Sequence, residues 1–244
     1  MSDFPTGDVL HPHDLVCVDG SSLVGIDGTP RPDWVGAVLG SGQAVPGSRQ
    51  AVLGSGDDLL SSDVWAVVRR APIDDGMVPV GLRGATRSER WAAVVPTAAI
   101  RRRVTPAQAV LAIAPSRTEL APFRAVAALI PLLNEHCAGQ WGIGGSVGFE
   151  LVTGRPTARD DSDVDLLIDA PVPLERRDAA RLAELARGAS TPTHIDIQVT
   201  TPIGAFALDE WLRADGRHPI ALKTLSGPRL TADPWTTHDS RSTP

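Results

Sequence analysis

The stretch that most constrains this chain is Asp160-Asp161-Ser162-Asp163-Val164-Asp165, which runs directly into Leu166-Leu167-Ile168. Side chains alternate along a strand, so Asp163 and Asp165 share one face while Val164 takes the other. The apolar run that follows reads as a buried strand. Two like charges at the end of a buried strand repel and resist desolvation unless a cation pairs them. Asp makes up 22 of the 244 residues, so an Asp-x-Asp triplet alone carries no weight. The weight comes from the alternation and from the strand it enters.

Two further segments give the acidic pair a chemical context. Gly144-Gly145-Ser146 falls between a predicted strand, Gln140–Gly144, and a predicted helix, Ser146–Thr153, closed by Gly154. Glycines let backbone approach a ligand, and a helix N-terminus offers free N–H groups to phosphate. Downstream, His194-Ile195-Asp196-Ile197-Gln198-Val199 reads as another strand and supplies a third carboxylate, Asp196. Mg²⁺ prefers oxygen ligands and takes one or two carboxylates together with substrate phosphates. Two such ions clamp the attacking and leaving oxygens of an in-line displacement at phosphorus. Asp163, Asp165 and Asp196 are therefore the expected ligands of Mg²⁺ or Mn²⁺, with Asp196 also placed to help deprotonate an attacking hydroxyl.

Composition removes several function classes. The net charge of −6 argues against a nucleic-acid binder with a basic surface. No basic region followed by an apolar stretch opens the chain, and the longest helix-like apolar run, Ala125–Leu133, is too short to cross a bilayer. Cys17 and Cys137 form no Cys-x-x-Cys pattern and are expected to be ordinary thiols. These features predict a soluble cytoplasmic protein that binds neither membrane nor nucleic acid. All but one of the 23 basic residues are Arg, the exception being Lys223. Arg forks suit bidentate phosphate contacts.

The order of elements predicts an α+β fold in two parts. The first, residues 1–115, is a mainly β subdomain with strands at 9–20, 33–39, Val64–Arg70 and Val78–Leu82, a helix over Ala85–Val95, and a mobile Gly/Ser-rich loop at 40–56. Thr105-Pro106 starts a helix. The second part, residues 116–244, begins with the longest helix, Leu120–His136, which Pro131 should either kink or delay in starting. Strand Val164–Asp169, helix Pro173–Arg187 stopped by Gly188, strand Ile195–Val199, helix Ile203–Ala214 and short strands at 219–225 and 228–230 complete it.

The Gly-Gly-Ser turn, the Asp-x-Asp strand and the third Asp together resemble the DNA polymerase β-like nucleotidyltransferases over residues 138–200. That resemblance implies a small mixed sheet flanked by helices. Sixteen residues separate Ser146 from Asp163, and the added length is the loop Thr153–Arg159, expected to face substrate. Over nearly the full length the chain is similar to a narrower family. Pro12-His13-Asp14-Leu15, Val78-Pro79-Val80-Gly81-Leu82-Arg83-Gly84 with Arg87 and Arg90, Asp161-Ser162-Asp163-Val164-Asp165-Leu166, Lys223-Thr224 and Gly227-Pro228-Arg229-Leu230 recur in the order seen in malonate decarboxylase holo-[acyl-carrier-protein] synthases. These are phosphoribosyl-dephospho-CoA transferases. The resemblance implies transfer of a phosphoribosyl-dephospho-CoA group from 2′-(5″-triphosphoribosyl)-3′-dephospho-CoA to a serine of an apo acyl carrier protein, with release of pyrophosphate. It also implies Asp163 and Asp165 as the catalytic pair.

A donor with a triphosphate and a further pyrophosphate needs cations. Arg83, Arg87 and Arg90 are the expected supply, with Arg87 and Arg90 one helical turn apart on the predicted helix. Arg155, Arg159 and Lys223 are further candidates, beside Gly144, Gly145 and Ser146. Arg101-Arg102-Arg103 reads as solvated surface, and His11-x-His13-Asp14, despite metal-like spacing, as structural. Three alternatives compete: another Mg²⁺-dependent nucleotidyltransferase, a sugar-nucleotide glycosyltransferase, and a non-enzymatic regulator on the same fold.

Overall fold

A computed structural model describes residues 9–40, 63–72, 76–84, 86, 88–111, 117–137, 140–189, 192–216 and 218–236. Arg87 and most of the Gly/Ser-rich segment, residues 41–56, lie outside the described residues. The chain divides into two compact units, one of residues 1–116 with 144–158 and one of 117–143 with 159–244.

The N-terminal unit is built on a six-stranded sheet. Its strands are β1 (Leu15–Asp19), β2 (Val24–Gly25), β3 (Asp63–Val68), β4 (Met77–Arg83), β5 (Arg90–Pro96) and β6 (Ile100–Val104), in spatial order β2-β5-β4-β3-β1-β6. Every neighbouring pair is antiparallel. Alternation sorts the residues. Val16, Val18, Val64, Ala66, Val78, Val80, Leu82, Trp91, Ala93 and Val95 form the main core on one face, joined by Val35 of helix α1 (Asp33–Gly40). On the other face Leu15, Cys17, Trp65 and Val104 pack with Phe149 of helix α4 (Gly145–Thr153), on which helix α2 (Pro106–Leu111) also rests.

Two expectations fail in this unit. Residues 33–39 form a helix, not a strand. Val35 and Val38, three apart, both turn to the core, and that spacing outweighs their β-branching. The predicted helix Ala85–Val95 is replaced by β5, because Trp91, Ala93 and Val95 are buried while Arg90, Ala92 and Val94 are not, a period of two.

The arginines of β6 are not simply solvated surface. Arg103 Nε lies 2.8 Å from the buried Asp14 carboxylate, and Arg101 Nε lies 2.9 Å from the buried Asp63. Asp14 also accepts from the His11 N–H at 2.8 Å. Its carboxyl is pushed above the usual carboxylate range because burial outweighs these partners. The His11–Asp14 segment is therefore a structural turn, as its sequence suggests.

The C-terminal unit holds a second six-stranded sheet: β7 (Trp141–Ile143), β8 (Val164–Asp169), β9 (Ile195–Thr201), β10 (Gly204–Ala207), β11 (Ile220–Thr224) and β12 (Gly227–Thr231). The spatial order is β12-β11-β10-β9-β8-β7, antiparallel throughout except for the parallel pair β8–β9. Helix α5 (Arg176–Ala189) makes that parallel crossover and packs against α3 (Ala121–Cys137) and α6 (Leu208–Ala214). With helices and two sheets, the α+β class holds. Helix α5 runs through Gly188, and helix α6 starts five residues later than expected. Gly204–Ala207 pair with β9 instead, leaving Asp209 and Glu210 in the first turn of α6, where acidic side chains suit the helix dipole.

Candidate active site

The β8–β9 pairing positions the carboxylates of the C-terminal unit. Asp165 stands directly across from Asp196, with Val164 opposite Ile195 and Leu166 opposite Ile197. Adjacent strands run about 4.8 Å apart, and paired residues point to the same face. Val164, Leu166 and Ile168 are buried with the helices, so Asp165 and Asp196 project together from the other face. Asp165 is half-buried, whereas Asp163 and Asp196 are exposed.

The same face carries two polar residues that the sequence reading passed over. His194 Nε2 lies 2.9 Å from Asp196 Oδ1. Gln198, two residues beyond Asp196, accepts at 3.2 Å from the Lys223 ammonium. Register explains the second contact: Ala207 pairs with Gln198, and Ala205 pairs with both Thr200 and Lys223, so β9, β10 and β11 all turn these side chains to one side. The signal lay in the period-two series His194, Asp196, Gln198, which marks one face of a strand.

Asp160 and Ser162 of the acidic cluster are architectural. Asp160 Oδ1 accepts from the Ala121 N–H at 2.9 Å and so satisfies the first turn of α3. The buried Ser162 hydroxyl accepts from the Arg159 N–H at 2.9 Å, while the Ser162 N–H donates to the Arg159 carbonyl at 3.1 Å. This tight turn delivers the chain into β8 and leaves Arg159 exposed.

Gly144, Gly145 and Ser146 belong to the N-terminal unit, at the start of α4. Gly145 has φ +59°, a left-handed conformation that a side chain would strain, and no side chain caps the helix at Gly144. The loop after α4 is strapped down. Buried Glu150 accepts from the N–H groups of Thr157 and Ala158, each at 2.8 Å, and Thr157 Oγ1 donates to the Ser146 carbonyl at 2.8 Å. Glu150 was likewise not anticipated. Burial lowers the pKa of Arg155 in this loop from its ordinary value.

The expected arginine pairing on a helix face is corrected by β5. Arg90 lies on that strand, directly across from Arg83 on β4. The turn joining them is closed by Gly84 N–H donating to the Glu89 carbonyl at 2.9 Å and by Thr86 N–H donating to the Glu89 carboxylate at 2.8 Å.

Among the described residues, no three His, Cys, Asp or Glu side chains converge closely enough to hold a metal by themselves. The carboxylate pair nevertheless suits a hard cation, since Mg²⁺ completes its shell with substrate phosphate and water. Asp165 and Asp196, with Asp163 two residues along the chain, are the groups that would hold it.

Comparison with known proteins divides the chain between residues 106 and 109 and so assigns residues 144–158, which belong to the N-terminal unit, to the second family domain. The family described as phosphoribosyl-dephospho-CoA transferase MdcG, C-terminal domain, matches residues 109–234, and the corresponding N-terminal domain matches residues 11–106. A phosphoribosyl-dephospho-CoA transferase of Azotobacter vinelandii is 41% identical over 228 residues, 92% of this chain and 93% of its own. One of Pseudomonas syringae is 36% identical over 227 residues, 93% and 94% of the two chains. One of Klebsiella pneumoniae is 46% identical over 174 residues, 69% and 80% of the two. No solved structure matches. No helix among the described residues is long and apolar enough to cross a membrane.

Proposed function

Because the chain belongs to the phosphoribosyl-dephospho-CoA transferase family, a family of transferase enzymes, we propose that it transfers the phosphoribosyl-dephospho-CoA group of 2′-(5″-triphosphoribosyl)-3′-dephospho-CoA to a serine of the apo acyl carrier protein of malonate decarboxylase. The observation that carries this reading is the pairing of Asp165 with Asp196 on one sheet face, with the Gln198–Lys223 contact on that same face.

The chemistry is an in-line displacement. The serine oxygen forms a new bond to the phosphorus attached to the ribose 5″-oxygen. The bond from that phosphorus to the bridging oxygen breaks, and pyrophosphate leaves with that oxygen. The serine proton passes to Asp196, whose carboxylate faces the reacting group from β9. A bound Mg²⁺ or Mn²⁺ supplies charge neutralisation at the reacting phosphate. Asp163 and Asp165 are the carboxylates that would hold such a cation and thereby orient the donor. Lys223, steadied by Gln198, offsets charge growing on the departing pyrophosphate. Arg159, exposed at the turn into β8, suits a guanidinium contact to the donor.

Mass spectrometry of apo carrier protein incubated with donor, metal and enzyme tests the assignment. The expected result is one added phosphoribosyl-dephospho-CoA group on a serine and one pyrophosphate released. An unmodified carrier, or release of a nucleoside diphosphate, removes it.

A further inference from the structure

We propose that His194 is a positioning residue: the N–H at its Nε2 holds the Asp196 carboxylate in one orientation on the open face of the C-terminal sheet. The inference rests on the transfer reading above, in which Asp196 takes the serine proton, and names the group that aims it.

The backbone fixes where the ring starts. The Val164 N–H donates to the His194 carbonyl at 2.9 Å, and Val164 pairs with Ile195. His194 therefore enters β9 anchored to the residue that separates Asp163 from Asp165, on the face that carries Asp196. Residues two apart on a strand stand ~7 Å apart along one face. An imidazole leaning along the strand direction bridges that gap, and here Nε2 lies 2.9 Å from Asp196 Oδ1. An ionised carboxylate only accepts, so Nε2 carries the hydrogen of this contact.

Among the described residues the Asp196 carboxylate makes no other hydrogen bond or ion pair, and neither does the His194 ring. The two side chains are 65% and 62% exposed. A pair so open to water adds little to stability, and an Asp without a partner samples several staggered rotamers. The consequence of the contact is therefore direction. With Oδ1 engaged from the His194 side, Oδ2 is the oxygen left for the serine hydroxyl. Asp165 stands directly across the ladder, so a swing of Asp196 also alters the separation of the two carboxylates. Misplacing a reacting group by ~1 Å costs on the order of a hundredfold in rate.

Two substitutions in the full chain separate the hydrogen bond from the bulk of the ring. His194→Phe keeps a ring and loses the N–H, whereas His194→Gln keeps an N–H donor. Nuclear magnetic resonance couplings that report χ1 of Asp196 should show one rotamer in wild type and in His194→Gln, and averaging in His194→Phe. The thermal unfolding midpoint should stay at its wild-type value in both variants. His194→Phe should lower kcat for carrier modification by about 10- to 100-fold with donor and carrier KM unchanged, and His194→Gln should recover most of that loss. Added to Asp196→Asn, His194→Phe should cost nothing further, because the group it aims is already gone. If His194→Phe fails to fold, His194→Ala replaces it in every measurement.

Averaged couplings at Asp196 in wild type overturn the proposal. So does an equal loss in the Gln and Phe variants, or a further loss on top of Asp196→Asn. A raised donor KM at unchanged kcat makes His194 a donor contact and sinks the positioning role too. Carrier modification at full rate in His194→Phe removes that role alone and leaves the transfer reaction standing. If wild type modifies no carrier, while its single Asp196 rotamer is released in His194→Phe, the positioning contact stands and the transfer reaction falls.

Discussion

Asp165 and Asp196 are 31 residues apart in sequence yet stand directly across from each other in the parallel β8–β9 pair. Two carboxylates held at strand spacing repel unless a cation sits with them. Asp165→Asn, Asp163→Asn and Asp196→Asn should each lower carrier modification by at least about a thousandfold, the order expected when a metal ligand or catalytic base is lost. Circular dichroism and a cooperative thermal transition should show the Asp165 and Asp196 variants still folded. Near wild-type turnover in either one would dispose of the carboxylate pair as the reaction centre.

Activity should disappear with a chelator and return with Mg²⁺ or Mn²⁺, since an all-oxygen donor set favours hard cations. Pyrophosphate release, followed with a coupled phosphate assay, should track carrier modification one for one. Full turnover in excess chelator is the contrary outcome.

Lys223→Ala should weaken donor affinity by roughly 10- to 100-fold at low salt, the worth of a charge-assisted contact to phosphate. The ammonium is exposed, so the effect should shrink as salt rises. Gln198→Ala should give a smaller loss in the same direction, because it removes only the acceptor 3.2 Å from the ammonium. A Gln198 variant more damaging than the Lys223 variant would reverse the assigned order of importance.

Gly204 is buried in β10, and a Cβ there would stand 2.8 Å from both Leu222 Cγ and the Lys223 carbonyl oxygen. The carbonyl is backbone and cannot swing away, so β11 must shift. Gly204→Ala should cost about 1–3 kcal/mol in urea unfolding and, by moving the strand that carries Lys223, raise donor KM. Unchanged stability would mean that the sheet yields there without strain.

Burial pushes the Cys17 thiol up to about 12. It should resist alkylation in the native protein at pH 8.5 and react only as the chain unfolds, read by mass spectrometry of labelled peptides. The sign for stability is also set. The unfolded thiol ionises near 9 and the folded one only near 12, so the unfolded state binds fewer protons in between. This group therefore drains stability as pH rises from about 9 to 12. Cys17→Ser should flatten that part of the alkaline unfolding profile.

The strand Val164–Asp169 was legible because Val164 alternates with Asp163 and Asp165 and the apolar run Leu166-Leu167-Ile168 follows directly. The partnership of Asp165 with Asp196 was readable only as a pair of strands, since register depends on crossover geometry and not on either segment alone. Arg90 misled for a different reason. Trp91-Ala92-Ala93-Val94-Val95 mixes helix-forming alanine with strand-forming valine and tryptophan, and packing on β4 decided it. Glu150 gave no local signal, because its partners are backbone N–H groups of a loop.

Helix α4 is made late and used early. The N-terminal sheet is complete in sequence by Val104, yet the face bearing Leu15, Cys17 and Trp65 acquires Phe149 only after β7 has been synthesised. A chain leaving the ribosome should therefore hold that sheet with one greasy side uncovered for some forty residues of translation. A split of the gene near residue 116 would make the exposure permanent. The two family domains, neighbours along the sequence, are in this respect stitched together like overlapping pages and should not be expected to survive separate expression.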